Sequence, residues 1–393
     1  MYFTKDRCYN EYSKCESISE KKEEKRMKKK LLSVLLCATM VAALFAGCGS
    51  KEEEAAAEPA AEEAEEPAKE AEEPAEETAE AATEGCPGVD GLNIGICIYK
   101  FDDNFMTLYR TELQKYLEAG GATVTVMDGK NDQAEQTNQI QNFITQGVDV
   151  LIINLVQSSA AEQVTDQCAA ANIPVVFINR EPEAAEEERW ASEGIAATYV
   201  GADARQSGTY QGEIVLATEN KGDFNGDGKV SYVMVMGDPE NIDAQYRTEF
   251  SIKALTDAGV EVEKLDEQRG DWDQAQGQEI VANALTANGD AVEVVFCNND
   301  AMALGALQAI EAAGRTDGED IMLLGVDALV EALENVQSGK MTGTVFNDHI
   351  GQSHAAAEIA GKMAAGEAVD VQNMVDYIKV TNENAADILA LIQ

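Results

Sequence analysis

Histidine is nearly absent. Of 393 residues only His349 and His354 are histidines, too few for a zinc site or a His-centred catalytic apparatus. Basic residues are also scarce, 29 against 72 acidic ones, giving a formal net charge of −43. Nucleic acid needs a basic face to meet its phosphates, so that class of partner is excluded. Patterned cysteine is missing too. Cys37 and Cys48 lie near the N-terminus, and Cys97, Cys168 and Cys297 sit inside apolar runs. There a small buried thiol needs no bonding partner, so no structural disulfide is expected. The longest apolar stretch falls short of the roughly 20 residues that a membrane span takes. Aromatic residues make up 6 %, so any aromatic side chain in a polar setting is informative.

That longest apolar stretch, Leu31 to Phe45, follows Lys28-Lys29-Lys30 and ends on Ala46-Gly47-Cys48. A basic cluster, a short apolar region and small residues at a cleavage site make a secretory signal, here 27–47. The AGC ending resembles the lipobox of bacterial lipoproteins, which implies Cys48 as the lipidated first residue of the mature chain. Phe45 departs from the usual Leu. Residues 1–26 precede Met27 and are expected to be an over-extended start. Residues 48–90 are dominated by Glu, Ala and Pro. Between Lys51 and Gly85, fifteen glutamates face two lysines. Such a segment self-repels and has little to bury. It reads as a tether between a lipid anchor and a folded body held outside the cytoplasm.

From about Leu92 onward, short β-rich apolar runs alternate with amphipathic helical stretches. Strands are expected at 93–99, 123–127, 149–155, 174–179, 198–200, 231–236, 260–265, 293–297, 321–326 and 375–380, with helices between most of them. Buried strands separated by helices indicate βαβ units and parallel sheets. Two such series give an α/β protein of two similar Rossmann-like lobes. The N-terminal lobe takes 91–200 plus 349–380. The C-terminal lobe takes 203–346 plus 382–393. Three crossings, near Val200–Asp203, Phe346–His349 and Val380–Asn382, make a three-strand hinge with a cleft between the lobes.

Five strand-like runs finish on Asn or Asp: ICIYK before Phe101-Asp102-Asp103, VLII before Asn154, VVFC before Asn298-Asn299-Asp300, LLGV before Asp327 and TGTVF before Asn347-Asp348. Ligands of open α/β sheets bind beyond the carboxyl ends of the strands. Amide and carboxylate groups collected there suit a small, neutral, hydroxyl-rich ligand. Asp327 also reads as a helix N-cap.

The runs IGICIYKFDDNFM, INLV, VVFINREP, YVGAD, FCNNDAMALGA, GVDALVEAL and SGKMTGTVFND, in that order, resemble the bacterial galactose/glucose-binding proteins. These are solute receptors of sugar ABC importers with the periplasmic-binding-protein type I fold. The resemblance covers about 91–393. It implies that Asp103 meets the sugar 4-hydroxyl and that Asn154 lies near the 6-hydroxyl. Asp243 and Arg247 would meet the anomeric and ring oxygens, and Asn299, Asp327 and Asn347 the other hydroxyls. Phe105 and Trp272 would sandwich the pyranose. The family usually has a His where this chain has Asn241, which leaves preference at C6 open. The implied partners are a monosaccharide, an ABC permease and, for some family members, a chemoreceptor. Contact with the membrane is through the lipid anchor alone, and a monomer is expected.

Asp223-Phe224-Asn225-Gly226-Asp227-Gly228 matches the first half of an EF-hand calcium loop, with oxygen ligands at positions 1, 3 and 5 and Gly at 6. Position 12 is Met234, not Glu, and a strand follows, so a true EF-hand is not expected. The resemblance implies a structural calcium site completed by the Lys229 carbonyl, by Ser231 in place of a longer amide, and by the distant Glu293.

Two other functions fit parts of the pattern. A glycosidase would need paired carboxylates, for which Asp103 and Asp327 are candidates, but the surrounding groups are neutral amides. A receptor for another sugar, such as ribose, or for a sugar-derived signal would keep the architecture and change the wall. Trp272 and Asp103 favour a pyranose.

Overall fold

The structure, a computed structural model, describes residues 85–393. The expected start at Met27, the signal segment, lipidation at Cys48 and most of the tether lie outside the described residues. Among those described, no helix is long and apolar enough to cross a membrane.

The first lobe is built from β1 (Asn93–Ile98), α1 (Asn104–Ala119), β2 (Thr123–Asp128), α2 (Gln133–Gln146), β3 (Val150–Ile153), α3 (Ala161–Ala171), β4 (Val175–Ile178), α4 (Ala184–Glu193) and β5 (Ala197–Gly201). The strands pair in parallel in the order β2-β1-β3-β4-β5, and β11 (Gln372–Met374) joins beyond β5. Side chains alternate across a strand, and here both faces are covered. Ile94, Ile96 and Ile98 pack with α1 and with α10 (His349–Ala364). Cys97, Leu151, Ile153 and Phe177 face α2, α3 and α4 on the other side. That double coverage is why these strands are almost unbroken apolar runs.

The second lobe repeats the plan with α5 (Ala204–Leu216), β6 (Lys229–Met236), α6 (Ile242–Asp257), β7 (Glu261–Arg269), α7 (Gln274–Asn288), β8 (Val294–Cys297), α8 (Asp300–Ala312), β9 (Met322–Leu324) and α9 (Val330–Gln337). Its parallel sheet runs β7-β6-β8-β9. α11 (Ala385–Ile392) completes this core through Ala385 and Ile388. Helices α5 and α6 pack closely because Gly208 and Gly212 carry no Cβ against the backbone of Arg247 and Ser251. This close approach fixes the height of Arg247 on α6.

Three segments cross between lobes. The first is Ala202-Asp203, between β5 and α5. The second is Asn347-Asp348, between β10 (Thr344–Phe346) and α10. The third falls at Val375–Tyr377, earlier than the sequence suggests. Of the expected single strand 375–380 only β12 (Ile378–Val380), paired antiparallel with β10, is a strand; β11, in the first lobe's sheet, ends before it at Met374. Val380 packs in the second lobe's core. Residues 378–380 therefore belong with the second lobe rather than the first. The physical reason is the polar stretch Val375-Asp376-Tyr377, whose Tyr377 N–H bonds a side chain, Gln206 Oε1 at 2.7 Å, instead of a sheet partner.

Candidate functional site

The sheet orders reverse direction next to β1 in one lobe and β6 in the other, and loops beyond these strand ends converge between the lobes, as expected at such switch points. They line a partly open cavity between the lobes. The first lobe contributes Tyr99, Asp103, Phe105, Met106, Asn179 and Arg180, and the second Asn241, Asp243, Arg247, Trp272, Asn299 and Asp327.

Three wall residues also cap helices. Asp103 Oδ1 accepts from Met106 N at 2.8 Å at the start of α1. Asn241 Oδ1 accepts from Asp243 N at 3.1 Å at the start of α6. Asn299 Oδ1 accepts from Met302 N at 3.0 Å at the start of α8. Three helix N-termini therefore point their free N–H groups and partial positive charge at the cavity. Asp327 does not cap a helix: Leu329 holds the N-cap position of α9. The carboxylate of Asp327 instead accepts from Asn347 Nδ2 at 3.3 Å. Three wall residues hold a left-handed backbone, Asn179 at φ 62°, Trp272 at 65° and Asp327 at 118°. Strain of this kind is kept where surrounding structure enforces it, commonly at functional sites.

Eight of the ten side chains expected to touch ligand line the cavity. Asn154 and Asn347 do not, because their polar atoms are already used. Asn154 is fully buried; its Oδ1 accepts from Tyr99 N at 3.3 Å, and its Nδ2 donates to Ile178 O and Asn179 Oδ1, both at 3.1 Å. Asn347 spends Nδ2 on Asp327, and its Oδ1 accepts from Gln352 Nε2 at 2.6 Å. Both hold wall residues in place from behind.

The sequence reading missed Tyr99, Met106, Asn179 and Arg180. Tyr99 donates to Asp103 Oδ2 at 2.6 Å. The Arg180 guanidinium lies over the Tyr99 ring, 3.7 Å from its centroid, and donates to Val156 O at 2.6 Å. Arg180, Tyr99 and Asp103 thus form one connected wall, with a cation–π contact at one end. A signal for Arg180 was present: it comes two residues after the buried run VVFI ends, at the carboxyl end of β4.

Burial pushes Asp243 up to about 6, against the pull of Arg247 and Arg180. Burial also raises Asp327 well above the ordinary carboxylate range, again opposed by Arg247. Burial alone would lower Arg247, but Tyr377, Asp327 and Asp243 outweigh it and keep the guanidinium charged. Two buried guanidiniums thus face three carboxyl groups, two of them with raised pKa values. The wall has little net charge to offer an ion and many donors and acceptors to offer a neutral ligand. Three of its buried polar atoms have no protein partner: Asp243 Oδ1, Arg247 Nε and Trp272 Nε1. Phe105 and Trp272 come from opposite lobes and supply apolar faces. Gly237 leaves no room for a Cβ against the Trp272 indole, so this glycine sets where the ring lies.

The loop 223–231 is wired to Glu293. That carboxylate is fully buried and accepts from Phe224 N at 2.8 Å, Asn225 N at 3.0 Å and Ser231 N at 2.9 Å. Asp223 accepts from Gly226 N and Gly228 N, Asn225 from Asp227 N, and Asp227 from Lys229 N. The Lys229 ammonium pairs with Glu263 and lies 4.0 Å from Asp227. The oxygen donors suit a hard cation in kind. Among the described residues, however, no three His, Cys, Asp or Glu side chains converge closely enough to share an ion.

Two α/β lobes, three crossings and a polar cavity between them define a hinged ligand-binding protein. The chain belongs to the family described as periplasmic binding protein domain, which matches residues 94–368; such proteins work outside the cytoplasm. It is 35 % identical over 310 residues to the D-galactose/methyl-galactoside binding periplasmic protein MglB of Haemophilus influenzae, covering 75 % of this chain and 91 % of that one. It is 34 % identical over 298 residues to a Rhizobium meliloti protein assigned to rhizopine binding, with the same coverage of 75 % and 91 %. Among solved structures, it is similar to an ABC transporter solute binding protein from Bacillus halodurans with bound myo-inositol. That match has a TM-score of 0.67 and 28 % identity, over 77 % of this chain and 98 % of that one.

Proposed function

We propose that the interlobe cavity captures D-galactose, D-glucose or a close glycoside and delivers it to an ABC importer. The observation that carries this reading is the set of three buried, unpartnered polar atoms, Asp243 Oδ1, Arg247 Nε and Trp272 Nε1, around one cavity. Each buried polar group left unpaired costs about 1–3 kcal/mol. A ligand with hydroxyls on its rim restores those bonds on entry. Its apolar C–H faces fit between Phe105 and Trp272. Asn241 spends Oδ1 on its own helix, so it meets the ligand as a donor through Nδ2. The similarity to MglB supports galactose.

A second reading, a cyclic polyol such as myo-inositol, is favoured by the Bacillus halodurans likeness and by Arg180, an extra donor in the wall. Catalysis is not part of the proposal, because the two candidate carboxyls are already engaged, Asp103 with Tyr99 and Asp327 with Asn347. A thermal-shift and calorimetric screen over galactose, glucose, ribose and myo-inositol tests the choice. Galactose or glucose is expected to bind most tightly. Strong binding of ribose or myo-inositol with no response to the two hexoses would overturn it.

The proposal includes a structural calcium ion held by Asp223, Asn225, Asp227, Glu293, the Lys229 carbonyl and Ser231, directly or through water. Its support is the donor chemistry of the loop and the tie between the loop and Glu293. The N-terminal reading also stands as a proposal: a lipid on Cys48 tethers the body to the membrane.

A further inference from the structure

Tyr377 lies in the third crossing, was not singled out by any motif and does not line the cavity. It is buried and belongs to a small apolar cluster with Ala202, Val326 and Val345, which lie at or beside the other crossings. Its backbone N–H donates to Gln206 Oε1 at 2.7 Å, just past the first crossing, and Gln206 Nε2 returns to Asp376 Oδ1 at 3.4 Å. Its hydroxyl accepts from Arg247 Nη2 at 3.0 Å. Arg247 Nη1 donates to Asn298 O at 2.8 Å, and Nε is left without a protein partner. Both terminal nitrogens of the guanidinium are thus anchored, one by the second lobe and one by the hinge. A planar fork held at two corners has its third donor direction fixed.

We infer that Tyr377 is a positioning residue that presents Arg247 to the ligand by holding its guanidinium fork. Its place is set by the third crossing and, through Gln206 on α5, by the second lobe, which also carries α6. The anchor therefore stays with Arg247 as the lobes turn, and Nε is kept free for the ligand. Burial holds the Tyr377 phenol up to about 12, so it stays a neutral acceptor in any ordinary medium. This inference rests on the sugar-capture reading above.

The test compares the wild-type chain with Tyr377→Phe, which keeps the ring and removes the acceptor, using calorimetry and the stopped-flow fluorescence of Trp272. The expected result is affinity for the captured sugar about tenfold weaker. The loss should lie in faster dissociation, with association unchanged and the ligand-free melting temperature lowered by no more than a few degrees. A purely structural role would lower the melting temperature and leave affinity unchanged. In an Arg247→Lys background, which lacks the fork, Tyr377→Phe is expected to change affinity less than twofold. Wild-type binding with an unchanged Tyr377→Phe variant overturns the inference, as does an equal loss in both backgrounds. If Tyr377→Phe does not fold, Gln206→Ala loosens the same segment, and unchanged affinity there overturns it. A wild-type chain that binds none of the sugars overturns the functional reading itself.

Discussion

At the scale of single residues, the site depends on groups serving two masters. Asp103 caps α1, takes the Tyr99 hydroxyl and faces the cavity; Asn241 and Asn299 cap their helices and face the same space. A capping Asp or Asn is legible in a sequence as a residue before a helix, and so is an Asp or Asn after an apolar strand. What sequence pattern cannot show is whether the remaining hydrogen-bonding atoms are free. That is why Asn154 and Asn347, which look like Asp103 and Asn299 on paper, lie behind the wall. Tyr99 was hidden for the opposite reason, because an aromatic residue ending an apolar strand reads as core. Arg180 makes the sharpest prediction at this scale. Arg180→Met removes a wall donor and the cation over Tyr99 but keeps much of the side-chain volume. Affinity for the captured sugar should fall about tenfold or more. Ligand-free melting should drop by only a few degrees, as calorimetry and a thermal scan will show.

At the scale of elements, two local structures carry measurable consequences. The first is the edge of the first lobe, where β11 meets α4. Gln372 Nε2 donates to Glu187 Oε2 at 2.6 Å and Glu181 Oε1 at 3.3 Å, while the other carboxylate oxygens, Glu181 Oε2 and Glu187 Oε1, are buried without partners. Burial, with Asp243 and Glu187 adding to it, raises Glu181 from 4.5 to about 7, and burial raises Glu187 to about 7. A carboxyl raised in the folded state keeps its proton while the unfolded chain loses it. Its contribution is therefore intact below about pH 4.5 and is lost as pH climbs to about 7. Glu181→Gln should match the wild type in stability at pH 4.5 and exceed it at pH 8 in denaturant titrations. Equal stability at both values would contradict this. The second structure is the loop 223–231. Because Glu293 already bonds three of its amides, the loop should be ordered without metal, and added calcium should raise the melting temperature by a few degrees. Asp227→Ala should abolish that rise, and a wild-type melting curve indifferent to calcium would count against the ion.

At the scale of the whole molecule, most of the architecture was legible. Apolar runs of strand length alternating with amphipathic helices dictate parallel sheets covered on both faces, and two such series dictate two lobes. The final crossing was misplaced because Asp376 and Tyr377 continue the apparent strand period, while the break is made by one side chain, Gln206, distant in sequence. The central claim belongs to this scale: one ligand is held by both lobes at once. The most direct measurement is isothermal titration with D-galactose and D-glucose of the wild type, Asp103→Ala from the first lobe and Asp327→Ala from the second. The wild type should bind at least one of the two hexoses at a single site, and each variant should lose about a hundredfold or more in affinity while remaining folded. Absence of binding in the wild type, or full affinity in either variant, would contradict the account.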